Sequence, residues 1–151
     1  MKLITFQSIL IELYPLIAAV TAMIVAQILK FTYNYMSQGE IRIRQLGQAG
    51  GMPSSHAAMV TSLAAAIGLD QGWTSPLFSI CVVFAMIVLY DAAGVRAAAG
   101  KQAAVLNQMM EDLFEHGKFQ TEKLTELLGH SPLEVIVGAC LGVGIAFTLY
   151  Y

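Results

Sequence analysis

The sequence predicts an all-α, multi-pass integral membrane helical bundle of about four spans, with an amphipathic helical insert between spans three and four. Three observations predict it. Of 151 residues, 57% are hydrophobic and only 12% are charged, about half the charge share of an ordinary soluble domain. The mean hydropathy is +0.67. The apolar residues also gather into four segments, and three of these approach the roughly 20 residues that cross a bilayer as a helix. The length suits a single domain, residues 1–151.

The first segment, residues 10–31, reads as a membrane helix rather than a cleaved signal. It is long, carries Glu12 early and shows no small-x-small cleavage site behind a short core. The second, residues 56–69, is short and rich in Ala, Ser and Thr. That composition suits a place inside the bundle, where small residues let helices approach closely. "DQGWTSP" then forms a tight polar turn, with Trp73 at interfacial depth. The third, residues 76–95, is the most hydrophobic, and the fourth, residues 132–151, ends in an aromatic pair.

Two hydrophilic stretches separate these segments. Residues 34–52 are rich in Gly and Gln and carry Arg42 and Arg44. Residues 96–130 pattern as an amphipathic hairpin lying on the bundle or the membrane surface. Val105, Leu106, Met109, Met110, Leu113 and Phe114 recur there at helical spacing, with Asn107, Glu111, Asp112 and Glu115 elsewhere on the wheel. Thr121 caps a short helix that ends at Gly129. His116 reads as solvated.

Charge gives the orientation. Apart from Lys2, every Lys and Arg falls in the two hydrophilic stretches or at their edges: Lys30, Arg42, Arg44, Arg96, Lys101, Lys118 and Lys123. With four spans both stretches face one side, and the positive-inside bias makes that side cytoplasmic. A net charge of −2 and the lack of a basic face argue against a nucleic-acid partner. Cys81 and Cys140 lie in apolar runs without the spacing of a zinc site or redox pair, so they read as free, buried packing thiols.

Polar groups collect where the four segments reach the positive side. The first segment brings Lys30; the second brings Ser54, Ser55 and His56; the third brings Asp91 and Arg96; the fourth brings His130 and Glu134. Ionisable residues within membrane segments are expensive and tend to face a cavity, so a shared pocket accounts for the set. Its chemistry suits phosphoryl transfer from a lipid. Lys30 and Arg96 would neutralise phosphate oxygens, Arg as a two-pronged fork. "PSSH" places Ser54 or Ser55 as the N-cap of a helix whose first backbone N–H groups suit an anion. One His would attack phosphorus while the other protonates the leaving oxygen. Glu134, four residues after His130, shares its helical face.

These residues resemble the type 2 phosphatidic acid phosphatases, integral-membrane lipid phosphatases related to the vanadium haloperoxidases. "GMPSSH" resembles their second motif and "GHSPLEV" the end of their third, with Glu134 where Asp is usual. "GGMPSSHAA", "YDAAGVR" and "GHSPLEVIVG" together are more similar to the divergent branch of that superfamily, small bacterial and plastid membrane proteins. The resemblance implies a metal-independent enzyme with no cofactor, in a bacterial inner or plastid-type membrane. It implies His130 as the nucleophile that forms a phosphohistidine, His56 as general acid and Glu134 as the carboxylate orienting His130. Lys30, Ser54, Ser55 and Arg96 would bind phosphate, with Asp91, Lys101 and Arg44 as supporting groups. The implied substrate is a lipid phosphomonoester or diphosphate, of the phosphatidylglycerophosphate or isoprenyl diphosphate class. Three departures stand beside it. No Arg-Pro follows Lys30, the amphipathic insert separates Arg96 from His130, and about four spans replace the usual six. A homodimer is left open as the source of further pocket walls.

Each residue also has a plainer reading. Ser131-Pro132-Leu133-Glu134 is a capping box with Pro at the first helical position. Lys30 can snorkel at a span end, and His56 can be an interfacial residue. Asp91 can pair with Arg96 or Lys101, and Arg42, Arg44 and Lys101 can simply set topology. Two other functions stay open. His130, Glu134, His56 and Asp91 could hold a divalent ion for metal-assisted hydrolysis, and a non-catalytic scaffold or lipid-binding protein could retain the pocket without turnover.

Overall fold

The computed structural model of the protein describes residues 11–38, 51–114 and 131–151. These residues are helical, in the order α1 (Tyr14–Gln38), α2 (Ser55–Gln71), α3 (Pro76–Tyr90), a π-helical segment (Asp91–Val95), α4 (Arg96–Phe114) and α5 (Pro132–Tyr150). The chain is an integral membrane protein: α1 over Tyr14–Met36, α3 with its continuation over Pro76–Gly94, and α5 over Pro132–Tyr150 are each long and apolar enough to cross a bilayer.

Local chemistry sets the helix starts. Pro15 lies in the first turn of α1, where its missing N–H leaves no bond unmade. Ser54 caps α2, its hydroxyl accepting the Ala57 N–H at 3.3 Å. Ser75 caps α3 in the same way, accepting the Phe78 N–H at 3.1 Å ahead of Pro76. The expectation of Ser54 or Ser55 as N-cap resolves to Ser54. At the other end, α2 stops at Gly72, whose φ of +91° is open to glycine and strained for a residue with a Cβ.

Burial divides the helices by role. The central helix is α2, which packs against α1, α3 and α5 and buries Ser55, Ala57, Ala58, Val60, Ser62, Ala64, Ala65, Ala66 and Gly68. On α3, by contrast, Ala85 is buried, while Leu77, Ile80, Val83, Phe84, Met86 and Ile87 are all more than half exposed. Large apolar side chains on the outside are at no disadvantage in lipid, and small ones inside let backbones approach.

The amphipathic insert begins at Arg96, the residue expected, as a helix continuous with the span before it. No turn separates it from the third segment, because the chain passes from α3 through the π-helical segment directly into α4. The run "AAGVRAAAGKQAAV" carries no Pro and is dominated by strong helix formers, so the helix continues. The side of α4 turned inward is also not the apolar stripe. Gly100, Ala103 and Asn107 are buried, and Val105, Leu106 and Met109 are exposed. The inward positions are thus small or polar, and these large apolar side chains face outward. The second half of the insert, with the helix expected from Thr121 to Gly129, lies outside the described residues.

Candidate functional site

Two ridges of residues four apart organise the bundle around α2. On α1 the ridge is Tyr14, Ala18, Ala22, Ala26 and Lys30; on α5 it is Glu134, Gly138, Gly142, Ala146 and Tyr150. Such i, i+4 rows are the natural contact ridges of packed helices. The three alanines of α1 and Ala146 are fully buried. They meet α2 at successive depths, Ala18 with Ala65, Ala66 and Ala146, then Ala22 and Ala26 with Ala58. On α5 a Cβ at Gly138 would strike the Ser54 carbonyl, and one at Gly142 would strike the Ala58 carbonyl and the Thr61 hydroxyl. Thr61 donates its hydroxyl to the Ala139 carbonyl at 3.0 Å, tying α2 to α5 between these glycines. The G-x-x-x-G spacing of Gly138 and Gly142, visible in the sequence, is the signal that would have located this contact.

The ridges run in opposite directions, so the C-terminal half of α1 and the N-termini of α2 and α5 come to one end. The π-helical segment joins them there through Ala92, which is buried with Ala57 and Val135. Lys30 continues the alanine ridge and is 7% exposed. Its stem lies against Gly51, whose φ is +90°. The Ser54 N–H donates to the Glu134 carbonyl at 3.1 Å, which fixes the start of α5 against the cap of α2. The Glu134 carboxylate also acts electrostatically on the Lys30 ammonium.

The sequence-predicted residues are therefore placed as follows. Lys30, Ser54, Ser55, Asp91 and Glu134 meet at this end, with Lys30, Ser54 and Ser55 buried and Asp91 and Glu134 half-buried. His56 stands in the first turn of α2 and is exposed, at the outer edge of the group rather than in its floor. Arg96 is the first residue of α4, directly past the π-helical segment, and Lys101 follows on the same helix. His130 and Arg44 lie outside the described residues.

The plainer readings of two residues take physical form. The capping box is made: the Ser131 N–H donates to Glu134 Oε2 at 2.9 Å, and the Glu134 N–H donates to Ser131 Oγ at 3.3 Å. One carboxylate oxygen is thus engaged at the helix start, and the charge of the group acts on the Lys30 ammonium. The Ser54 hydroxyl is likewise engaged in its own cap. Among the described residues, no three His, Cys, Asp or Glu side chains gather closely enough to hold a metal ion, and His130 is not one of those residues.

Sequence reasoning singled out Trp73 and the terminal aromatic pair at the opposite end, but not the contacts they make. There the Tyr14 hydroxyl donates to the Ala146 carbonyl at 2.7 Å, and its ring meets that of Tyr150 at 5.5 Å between centroids, tilted by 56°. Trp73 stands edge-on to Phe78 and stacks on Phe147, its ring lying over Gly68, where a Cβ would collide with it.

Comparison with known proteins adds lineage to this geometry. The family model described as the Divergent PAP2 family matches residues 11–145, a range that contains every candidate residue from Lys30 to Glu134. The uncharacterized membrane protein YuiD of Bacillus subtilis (strain 168) is 36% identical over 149 residues, covering 91% of this chain and 94% of its own length. No solved structure matches the chain.

Proposed function

The chain belongs to the divergent PAP2 family, and from that membership we propose that it is a metal-independent membrane lipid-phosphate phosphatase working through a phosphohistidine. The substrate is a phosphomonoester or diphosphate of a membrane lipid, of the phosphatidylglycerophosphate or isoprenyl diphosphate class. The observation that carries the reading is the meeting of buried Lys30, the capped N-terminus of α2 and the Glu134 end of α5 at one end of the bundle. A buried cation beside helix N–H groups is a receptor for a phosphate anion.

The roles are those that the resemblance to the family implies. Lys30, Ser55, Arg96 and the first N–H groups of α2 hold the phosphate oxygens, with Ser54 acting through its cap. A ring nitrogen of His130 attacks phosphorus, and the bond from phosphorus to the lipid oxygen breaks. His56, at the exposed edge, gives its proton to that oxygen. Water then attacks the phosphohistidine, the P–N bond breaks, and His56 takes the water proton, releasing inorganic phosphate. Glu134 orients His130, while Asp91, Lys101 and Arg44 support the site. The Lys and Arg distribution favours the cytoplasmic side for this end, in a bacterial inner or plastid-type membrane, and a second copy of the chain would complete the walls as a homodimer.

The test is hydrolysis of a panel of lipid phosphates by the purified protein, with and without a strong chelator. Wild type is expected to turn over at least one lipid phosphate with chelator present. His130→Ala should lose turnover and form no phosphorylated protein, while His56→Ala should lose turnover and accumulate it. Turnover abolished by chelator would replace this mechanism with a metal-assisted one, and no turnover of any lipid phosphate would reject the enzyme reading.

A further inference from the structure

We propose that Gly51 is a positioning residue whose missing Cβ seats Lys30 across the N-terminus of α2. Two separate observations meet at this glycine. Its φ is +90°, and a Cβ built on it would come within 2.9 Å of Lys30 Cε and 3.6 Å of both Cδ and Cγ. The whole stem therefore lies flat on the glycine backbone. A lysine near the end of a membrane helix ordinarily runs its stem outward to bring its ammonium to the interface. Lys30 does not. It is 7% exposed, its backbone continues the buried alanine ridge, and its stem lies against residue 51.

Gly72 supplies the internal comparison. Its φ is +91°, yet a Cβ there would meet nothing within 4 Å. The two glycines make the same conformational demand, and only Gly51 has a neighbour to displace. The atoms a Cβ would meet at Gly51 belong to a flexible side chain, which moves more readily than backbone. Adding the Cβ therefore shifts Lys30 instead of splitting the bundle. What the seated ammonium receives rests on the phosphatase reading above; that Gly51 seats it does not.

The experiment uses the full-length protein in detergent or vesicles and compares wild type, Gly51→Ala and Gly72→Ala. The first readout is the rate at which Lys30 reacts with an amine-directed label, quantified by mass spectrometry. A several-fold change in Gly51→Ala, with the wild-type rate in Gly72→Ala, is expected, while both variants lose similar thermal stability. The second readout is lipid-phosphate hydrolysis, where Gly51→Ala should raise KM well beyond any change in kcat and Gly72→Ala should leave both unchanged. If Gly51→Ala does not fold, Gly51→Asn carries the same Cβ on a residue that tolerates positive φ better. Equal Lys30 labelling in wild type and the Gly51 variant overturns the proposal. A changed labelling rate in a protein that hydrolyses no lipid phosphate leaves Gly51 its role and removes only the phosphatase reading.

Discussion

At one end of the α1 and α5 ridges Tyr14 and Tyr150 stand ring against ring; at the other, the ridges end in Lys30 and Glu134, which interact electrostatically. Between them the two ridges are built of Ala and Gly against the same face of α2. The tyrosine end closes with a hydrogen bond of 2.7 Å and an aromatic pair, contacts that add stability when an apolar ring carries one polar tip. The lysine end closes with a capping box and a helix N-terminus beside a buried cation, and that cation offers little net stability for the desolvation it demands. On the proposed reading, the same scaffold is finished for cohesion on one side and for ligand contact on the other.

The largest effect expected from this contrast is at Lys30. Lys30→Met should lower kcat/KM for a lipid phosphate by about 10²–10³-fold, the scale on which losing one charge-stabilising group acts. It should leave resistance to unfolding by a denaturing detergent equal or higher, since an apolar side chain replaces a buried cation. A matching fall in stability would break the contrast. Gly138→Ala comes next, with about 3 kcal/mol of stability lost because the new methyl meets the Ser54 backbone. Activity should fall with it, since the cap of α2 must move. Ser54→Ala should cost about 1–2 kcal/mol through the lost cap, again with reduced turnover. Tyr14→Phe is the smallest and the sharpest. It should cost about 0.5–1 kcal/mol through the lost bond to Ala146 and leave hydrolysis at the wild-type rate; slower hydrolysis would show that the two ends are coupled through the ridges.

Much of the fold is legible in the sequence, because hydrophobic segments and their capping residues are local signals. "SP" before α3 and α5 and "PSSH" before α2 mark helix starts without any tertiary knowledge. Lys30, the Ser pair and Glu134 stand out because polar groups are costly at membrane depth. Other features depend on which face a neighbour covers. The continuity from Tyr90 through Asp91–Val95 into α4 arises where helix formers span an expected boundary, and a π-helical segment has no clear local signature. The inward face of α4 runs through Gly100, Ala103 and Asn107 instead of Val105, Leu106 and Met109, which the periodicity of its large apolar residues does not reveal. The engagement of the Ser54 and Glu134 side chains in caps was readable as an option, but only the fold shows both caps made together with the Ser54–Glu134 backbone bond.

The unequal lengths of the helices bear on how a lipid would meet this end. With 17 residues, α2 is about 25 Å long, shorter than a hydrocarbon core of about 30 Å. At the tyrosine end its last turns are level with the start of α1 and the finish of α5, so the shortfall gathers at the lysine end. There the apolar window of α1 runs on to Met36, six residues or about 9 Å past Lys30. The cation and the α2 cap thus lie in a plane about 9 Å short of the end of that window, measured along α1. A headgroup would have to descend to that plane, a displacement that depends on membrane thickness. Vesicles made from progressively longer acyl chains would read this depth as a graded change in turnover, making the protein responsive to the thickness of its own solvent.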